Sequence, residues 1–238
     1  MLKNLIPYMV KYYVRTFKYV PIVLIFMVVL GTIYWQKNVP IWNTYSFTIN
    51  VIFIFSAWIS IGFFDVEDNI QQQLVFLRFK KKTLYHLSKI FTIWVISFVF
   101  IVFIVLYPIF RNLFNRPITG FELILTFIIH IFISLLGISI TALFNSKVVP
   151  DRRIALGGLF IIIILSVVQV PIIKEFSFVR YITWIFPPIS FITEKIITFD
   201  GLNIYSITMA LIVGVPYIIL YAVILLLLYI KLMKKKMF

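Results

Sequence analysis

Cysteine is absent from these 238 residues, and acidic side chains, glycine and histidine number only eight, eight and two. Each shortage removes a class of chemistry. Without cysteine there is no disulfide, thiol nucleophile or thiolate metal site, and the redox compartment leaves no mark on the sequence. So few histidines and acids also leave a metal centre short of ligands. Charged residues make up 13% of the chain, about half the share of a typical soluble domain. No stretch carries the G-x-x-x-x-G-K-[ST] loop that cradles nucleotide phosphates, and no segment is long and polar enough for a nucleotide domain. ATP is therefore not expected to bind this chain, and no cofactor is expected in it.

What remains is overwhelmingly apolar: 63% of residues are hydrophobic and the mean hydropathy is +1.09. The expected class is an all-α integral membrane protein, one transmembrane domain over residues 1–238. Apolar length and polar flanks place six spans near 19–36, 46–64, 90–109, 122–144, 155–173 and 204–230.

The net charge of +14 is distributed between these runs rather than on a soluble face, which argues against nucleic acid as a partner. With both termini inside, sixteen Lys and Arg fall on cytoplasmic segments and six on outer ones. That asymmetry predicts cytoplasmic termini, with the basic clusters held near anionic membrane lipid. Lys outnumbers Arg 15 to 7 and Ala appears five times, a composition of AT-rich genomes that points to a bacterial cell membrane.

The first seventeen residues are basic and amphipathic. Leu2, Leu5, Ile6, Met9, Val10, Tyr13 and Phe17 recur at helical spacing, opposite Lys3, Asn4, Lys11 and Arg15. A helix lying in the membrane interface is expected, retained rather than cleaved, because no small-residue cleavage site follows.

Residues 65–89 form the longest polar stretch. Asp65, Glu67 and Asp68 open it, Arg78 and Lys80 to Lys82 close it, and Ile70, Leu74 and Leu77 lie at i, i+4 and i+7. Acid at the start and base at the end suit the macrodipole of a short amphipathic helix. A basic break follows, and Thr83 then caps the turn into the third span. Chain reversal alone needs only a few residues, as in NSKVVPDRRI between spans four and five, so the extra length asks for a partner or a lipid surface.

This segment, together with the interfacial helix, six spans and a long outer segment before the last one, resembles the ABC-2-type permeases over essentially the whole chain. The local motif departs from the family's usual form: Asp65, Glu67 and Asp68 stand where an "EREKGTLE" start is common, and Lys80-Lys81-Lys82-Thr83 replaces a Pro-Ser-Arg turn. The resemblance implies a non-enzymatic transmembrane subunit, paired with itself or a sister permease and driven by a separate ATPase subunit that binds ATP and Mg. It implies a coupling contact carried by Glu67, Asp68, Ile70, Leu74, Leu77 and Arg78, with Asp151, Arg152 and Arg153 as a lesser one. It also implies export of amphipathic peptides, such as phenol-soluble modulins or antimicrobial peptides in toxin export or immunity.

Residues 174–203 are too apolar for a solvated loop and are broken by Pro187 and Pro188; two short helices near 175–186 and 189–198 are expected, re-entrant or interfacial. Tyr181, Trp184 and Phe186 suit interfacial anchoring. Asn50, His130, Ser166 and Gln169 are polar residues within spans and form a candidate substrate pathway, though a lone histidine among Ile and Phe is more often an interhelical hydrogen bond than a substrate ligand. No paired intramembrane acids or Ser/His pair suggest a protease. The residues themselves leave open a lipid exporter, a secondary transporter, or a sensor or immunity protein that sequesters a peptide.

Overall fold

The computed structural model describes residues 2–67, 71, 72, 75, 82–176, 186–197 and 210–236. Helices α1 (Leu2–Arg15), α2 (Tyr19–Ile33), α3 (Ile41–Phe64), α4 (Lys82–Phe110), α5 (Gly120–Leu143), α6 (Arg152–Glu175), α7 (Ile189–Ile197) and α8 (Val215–Lys236) account for most of them, with a π-helical turn at Ala210–Gly214 leading into α8. The described residues contain no β-strand beyond an isolated bridge between Val39 and Phe114. Among the described residues, five helices are long and apolar enough to cross a membrane, or up to six if α1 and α2, bent by 79°, count as one broken span. The protein is therefore a multi-pass membrane protein by length and composition.

Local sequence explains where most helices begin. Pro40 holds the extended backbone that precedes α3, five residues ahead of the expected start of that span. Thr119 and Glu122 form a reciprocal capping box at α5, and Asp151 caps α6 by accepting from the Arg153 N–H at 2.8 Å. Pro187 and Pro188 precede α7, which matches the second expected short helix; most of the first, 175–186, lies outside the described residues. The last span also departs from expectation, since α8 continues to Lys236, and 204–209 lie outside the described residues.

Two elements differ from expectation. The helix that carries the third span begins at Lys82, ahead of the expected start near 90, so Thr83 lies in the first helical turn rather than capping it, and His86 and Lys89 are helical residues facing inward. Its 29 residues make about 43 Å of helix, longer than the ~30 Å hydrocarbon layer requires. The apolar side of α1, expected to meet lipid, instead packs on the protein: Leu5, Met9 and Tyr13 are buried, and the Tyr13 ring lies 5.0 Å from that of Phe63. Phe17, at φ 55°, breaks the helix between α1 and α2 in a left-handed conformation costly for a residue with a Cβ.

At the centre, α3 crosses α5 so closely that a Cβ on Gly137 would stand 2.7 Å from the Phe53 carbonyl oxygen. α4 and α8 flank this pair, α7 bridges α3 and α6, and α6 turns most of its surface outward.

Two ends can be distinguished. One gathers residues 65–67, 71 and 72 and the junction 144–151 with the Lys-rich end of α8, and is strongly basic. At the other, Val39 exchanges backbone hydrogen bonds with Leu113 and Asn115, joining the loops after α2 and α4.

Pro108 lies inside α4 and has no N–H to donate, which leaves the Ile104 carbonyl, four residues earlier, without its helical partner. The Tyr34 hydroxyl donates to that carbonyl at 2.9 Å, and Tyr45 donates to the next one, Val105, at 3.1 Å. Tyr34→Phe is expected to lower stability by ~1–3 kcal/mol, the cost of a buried unsatisfied group. In a Pro108→Ala background, where the helix regains the missing donor, most of that loss should disappear; thermal unfolding of the four purified proteins in detergent measures it.

Candidate functional site

The basic end holds a buried ionic junction. α3 ends at Phe64, and the chain then turns so that the Glu67 side chain points back under the helix, 5% exposed. Glu67 Oε2 accepts hydrogen bonds from the Tyr85 hydroxyl and from Lys89 Nζ, the latter at 3.3 Å. Lys89 is equally enclosed, and its ammonium also donates to the Phe64 carbonyl at 3.1 Å. It thus caps the C-terminus of α3, where a positive charge complements the helix dipole and satisfies a carbonyl that the helix leaves open. The rings of Phe63 and Phe64 lie 5.9 and 5.7 Å from the same nitrogen. Tyr85 and Lys89 reach one carboxylate because they are four residues apart on one face of α4.

His86 extends the cluster to the last helix. Its Nδ1 lies 3.0 Å from the Tyr229 hydroxyl, and the Tyr229 ring stands edge-on to Phe64. Neither Tyr85 nor Tyr229 is legible as a site residue, since Tyr229 meets His86 across 143 positions.

The neighbouring segment is fastened on several sides. Asp65 Oδ1 accepts from the backbone N–H and hydroxyl of Ser146 at 3.2 and 2.7 Å, and the Asp65 carbonyl accepts from Lys18 Nζ at 3.2 Å. Tyr12 donates to Gln71 Oε1 at 2.5 Å, and Lys147 donates to Gln72 Oε1. Asn145 shapes the 144–151 turn by accepting from the Lys147 and Val148 N–H groups at 2.9 and 3.1 Å. Asp65, Glu67, Gln71 and Gln72 are thereby tied to α1, α4 and the loop between α5 and α6.

The chain matches no protein-family model, no curated protein and no solved structure.

Of the residues expected at a partner contact, Glu67 is turned inward, and its carboxylate is engaged by Lys89 and Tyr85. Asp68, Ile70, Leu74, Leu77 and Arg78 lie outside the described residues. Asp151 serves as the α6 cap, with Arg152 and Arg153 exposed beside it.

The pathway candidates fall into two groups towards the opposite end. His130 is fully enclosed between α3 and α5: Nδ1 lies 2.8 Å from the Thr126 carbonyl and Nε2 lies 3.0 Å from the Thr48 hydroxyl. A carbonyl only accepts, so Nδ1 carries the proton, and the one hydroxyl proton of Thr48 is shared between Nε2 and the Tyr45 carbonyl, each 3.0 Å away. Asn50, one turn on from Ser46 along α3, donates to the Ser46 carbonyl at 3.1 Å. In the second group, Ser166 donates to the Ile162 carbonyl at 2.6 Å and Gln169 accepts from Ser190 at 2.7 Å, joining α6 to α7. These bonds are structural links between or within helices. Near them, Arg116 forms a two-point ion pair with Glu122 at 2.5 and 3.0 Å, and the carboxylate raises the Arg116 guanidinium further above its ordinary pKa. Among the described residues no three His, Asp or Glu side chains converge on a metal position.

Removing one member of a buried ion pair strands the other charge, at a cost of ~3–5 kcal/mol, whereas removing both is far milder. Lys89→Met is therefore expected to destabilise the protein strongly, and Lys89→Met with Glu67→Gln much less. Unfolding of both variants in the same detergent gives the comparison.

Proposed function

We propose that this chain is the membrane-spanning subunit of an ABC-2-type exporter in a bacterial cytoplasmic membrane, driven by a separate ATPase subunit and moving amphipathic peptides out of the cell. The observation that supports it is the anchorage of Asp65, Glu67, Gln71 and Gln72: side-chain bonds tie them to α1, α4 and the 144–151 loop. Simple chain reversal requires no such fastening. A partner that moves this segment would move the base of α4 and α1 with it, as a rigid-body transmission requires.

In this reading the basic end is cytoplasmic and α1 lies along the inner membrane surface. Asp68, Ile70, Leu74, Leu77 and Arg78 face the ATPase, with Arg152 and Arg153 on the adjoining loop. Glu67 is a positioning residue rather than a contact: through Tyr85 and Lys89 it fixes the segment to α4. ATP and Mg reside in the partner subunit. A second copy or a sister permease completes the pathway, and α7 belongs to the re-entrant element at the outer side. Sparse polar groups among Phe and Ile suit an amphipathic helix as cargo.

Orientation can be tested directly because the chain has no cysteine to replace. Lys37→Cys and Lys235→Cys, expressed singly, place a thiol at opposite ends; a membrane-impermeant maleimide applied to intact cells should label the first and spare the second. The reverse pattern would invert the topology.

For the partner, the tagged chain purified from its native host in mild detergent should carry a nucleotide-binding subunit with ATPase activity. Leu74→Asp with Leu77→Asp should abolish that co-purification while leaving the chain folded. Retained binding and transport in the double variant would sink the coupling assignment, and recovery of the chain alone across several detergents would favour sequestration or secondary transport.

A further inference from the structure

We infer that the cavity where α1 meets the end of α3 and the start of α4 binds one water molecule, held by the Glu67 carboxylate, the Tyr13 hydroxyl and the Lys89 ammonium. The cavity has room for a single water-sized sphere, about 10 Å³, and Met9, Tyr12, Phe63 and Val66 complete its walls with those three residues. That is the least space in which a water can sit, and a buried water needs two to four polar partners.

The partners are present and of the right kinds. Glu67 Oε1 and the Tyr13 hydroxyl are both buried, neither has a hydrogen-bond partner, and they do not bond each other. Tyr13 is 2% exposed and Glu67 5%. Lys89 donates two of its three N–H groups, to Glu67 Oε2 and the Phe64 carbonyl, so a third remains for the cavity. One water would donate to the carboxylate, accept from the ammonium and use its remaining valence on the phenol. Unmet buried polar atoms are uncommon because each carries a desolvation cost, and this water removes two of them.

The same groups exclude other occupants. A cation would meet the Lys89 ammonium and a single carboxylate already engaged by it, an anion would meet Glu67, and a larger ligand lacks the space. Bound there, the water joins α1 to the ion pair at a point where Tyr13 cannot reach Glu67 itself, so the seat of α1 is a hydrated joint rather than a dry one.

Brief X-ray radiolysis of the full-length protein in nanodiscs made up in H2 18O reads this directly, because an internal water generates hydroxyl radicals that modify the side chains around it despite their burial. Met9 and Tyr13 should be modified several-fold more than Met233 and Tyr45, which are equally buried at 2% and 1% exposure but lie outside the cavity. Tyr13→Phe, which keeps the ring and the fold, should remove most of the modification at Met9. Equal modification of the two pairs, or labelling of Met9 unchanged in Tyr13→Phe, would overturn the site. A density map that resolves other internal waters and has no peak between Glu67 Oε1, Lys89 Nζ and Tyr13 would overturn it as well.

Discussion

A polar group inside this protein has to find its partner inside this protein, because the apolar surface around it offers none. Helices meet that constraint for the backbone, and the exceptions are where side chains become informative. Pro108 removes one donor from α4, and a tyrosine from outside the helix supplies another. Trp94 spends its indole N–H on the Ile131 carbonyl of α5, at 3.1 Å. Serines and threonines inside α3, α4 and α5 mostly return their hydroxyls to carbonyls three or four residues back. Such residues therefore keep α3 and α5 thin enough to approach closely, as at Gly137 and Ser56, without leaving unmet hydrogen bonds between them.

The same constraint explains the position of the buried charges. A lone lysine deep in an apolar helix carries a severe desolvation cost, but Lys89 lies near the basic end, where a carboxylate, a helix C-terminus and two aromatic faces converge on it. Burying such a pair is weak evidence for stability compared with apolar packing of the same volume. Its geometric effect is clearer: an apolar contact tolerates sliding, whereas two side chains bonded at one carboxylate hold the turn after α3 at one register along α4.

On the proposed function, that register matters more than any exposed contact. A transmembrane subunit that borrows its energy needs a stiff path from the borrowed ATPase to its spans. Glu67 with Tyr85 and Lys89, Tyr12 with Gln71, and Lys147 with Gln72 are such a path, each crossing between elements rather than within one. At the opposite end, His130, Thr48, Gln169 and Ser190 bind the helices to one another. His130 and Gln169, both named as pathway candidates, each bond to a neighbouring helix.

Much of the architecture was legible from composition and periodicity alone. The helix beginning at Thr119 and the helix capped by Asp151 lie within a few residues of their expected spans, because apolar length and local capping are properties of neighbouring residues. The short helix after Pro187 and Pro188 is legible for the same reason. Where α4 begins was not, since polar TLYHLSK reads as a loop until Glu67 and Tyr229 are there to receive Lys89 and His86. Nor was the orientation of α1, whose amphipathic pattern is the same whether lipid or protein covers it. Sequence by itself determined an all-helical, multi-pass chain with its positive charge gathered at one end. Only the tertiary structure decided which charge is buried, which tyrosine meets which carbonyl and which face of α1 is covered, because each depends on partners tens of residues or more away that no local pattern encodes.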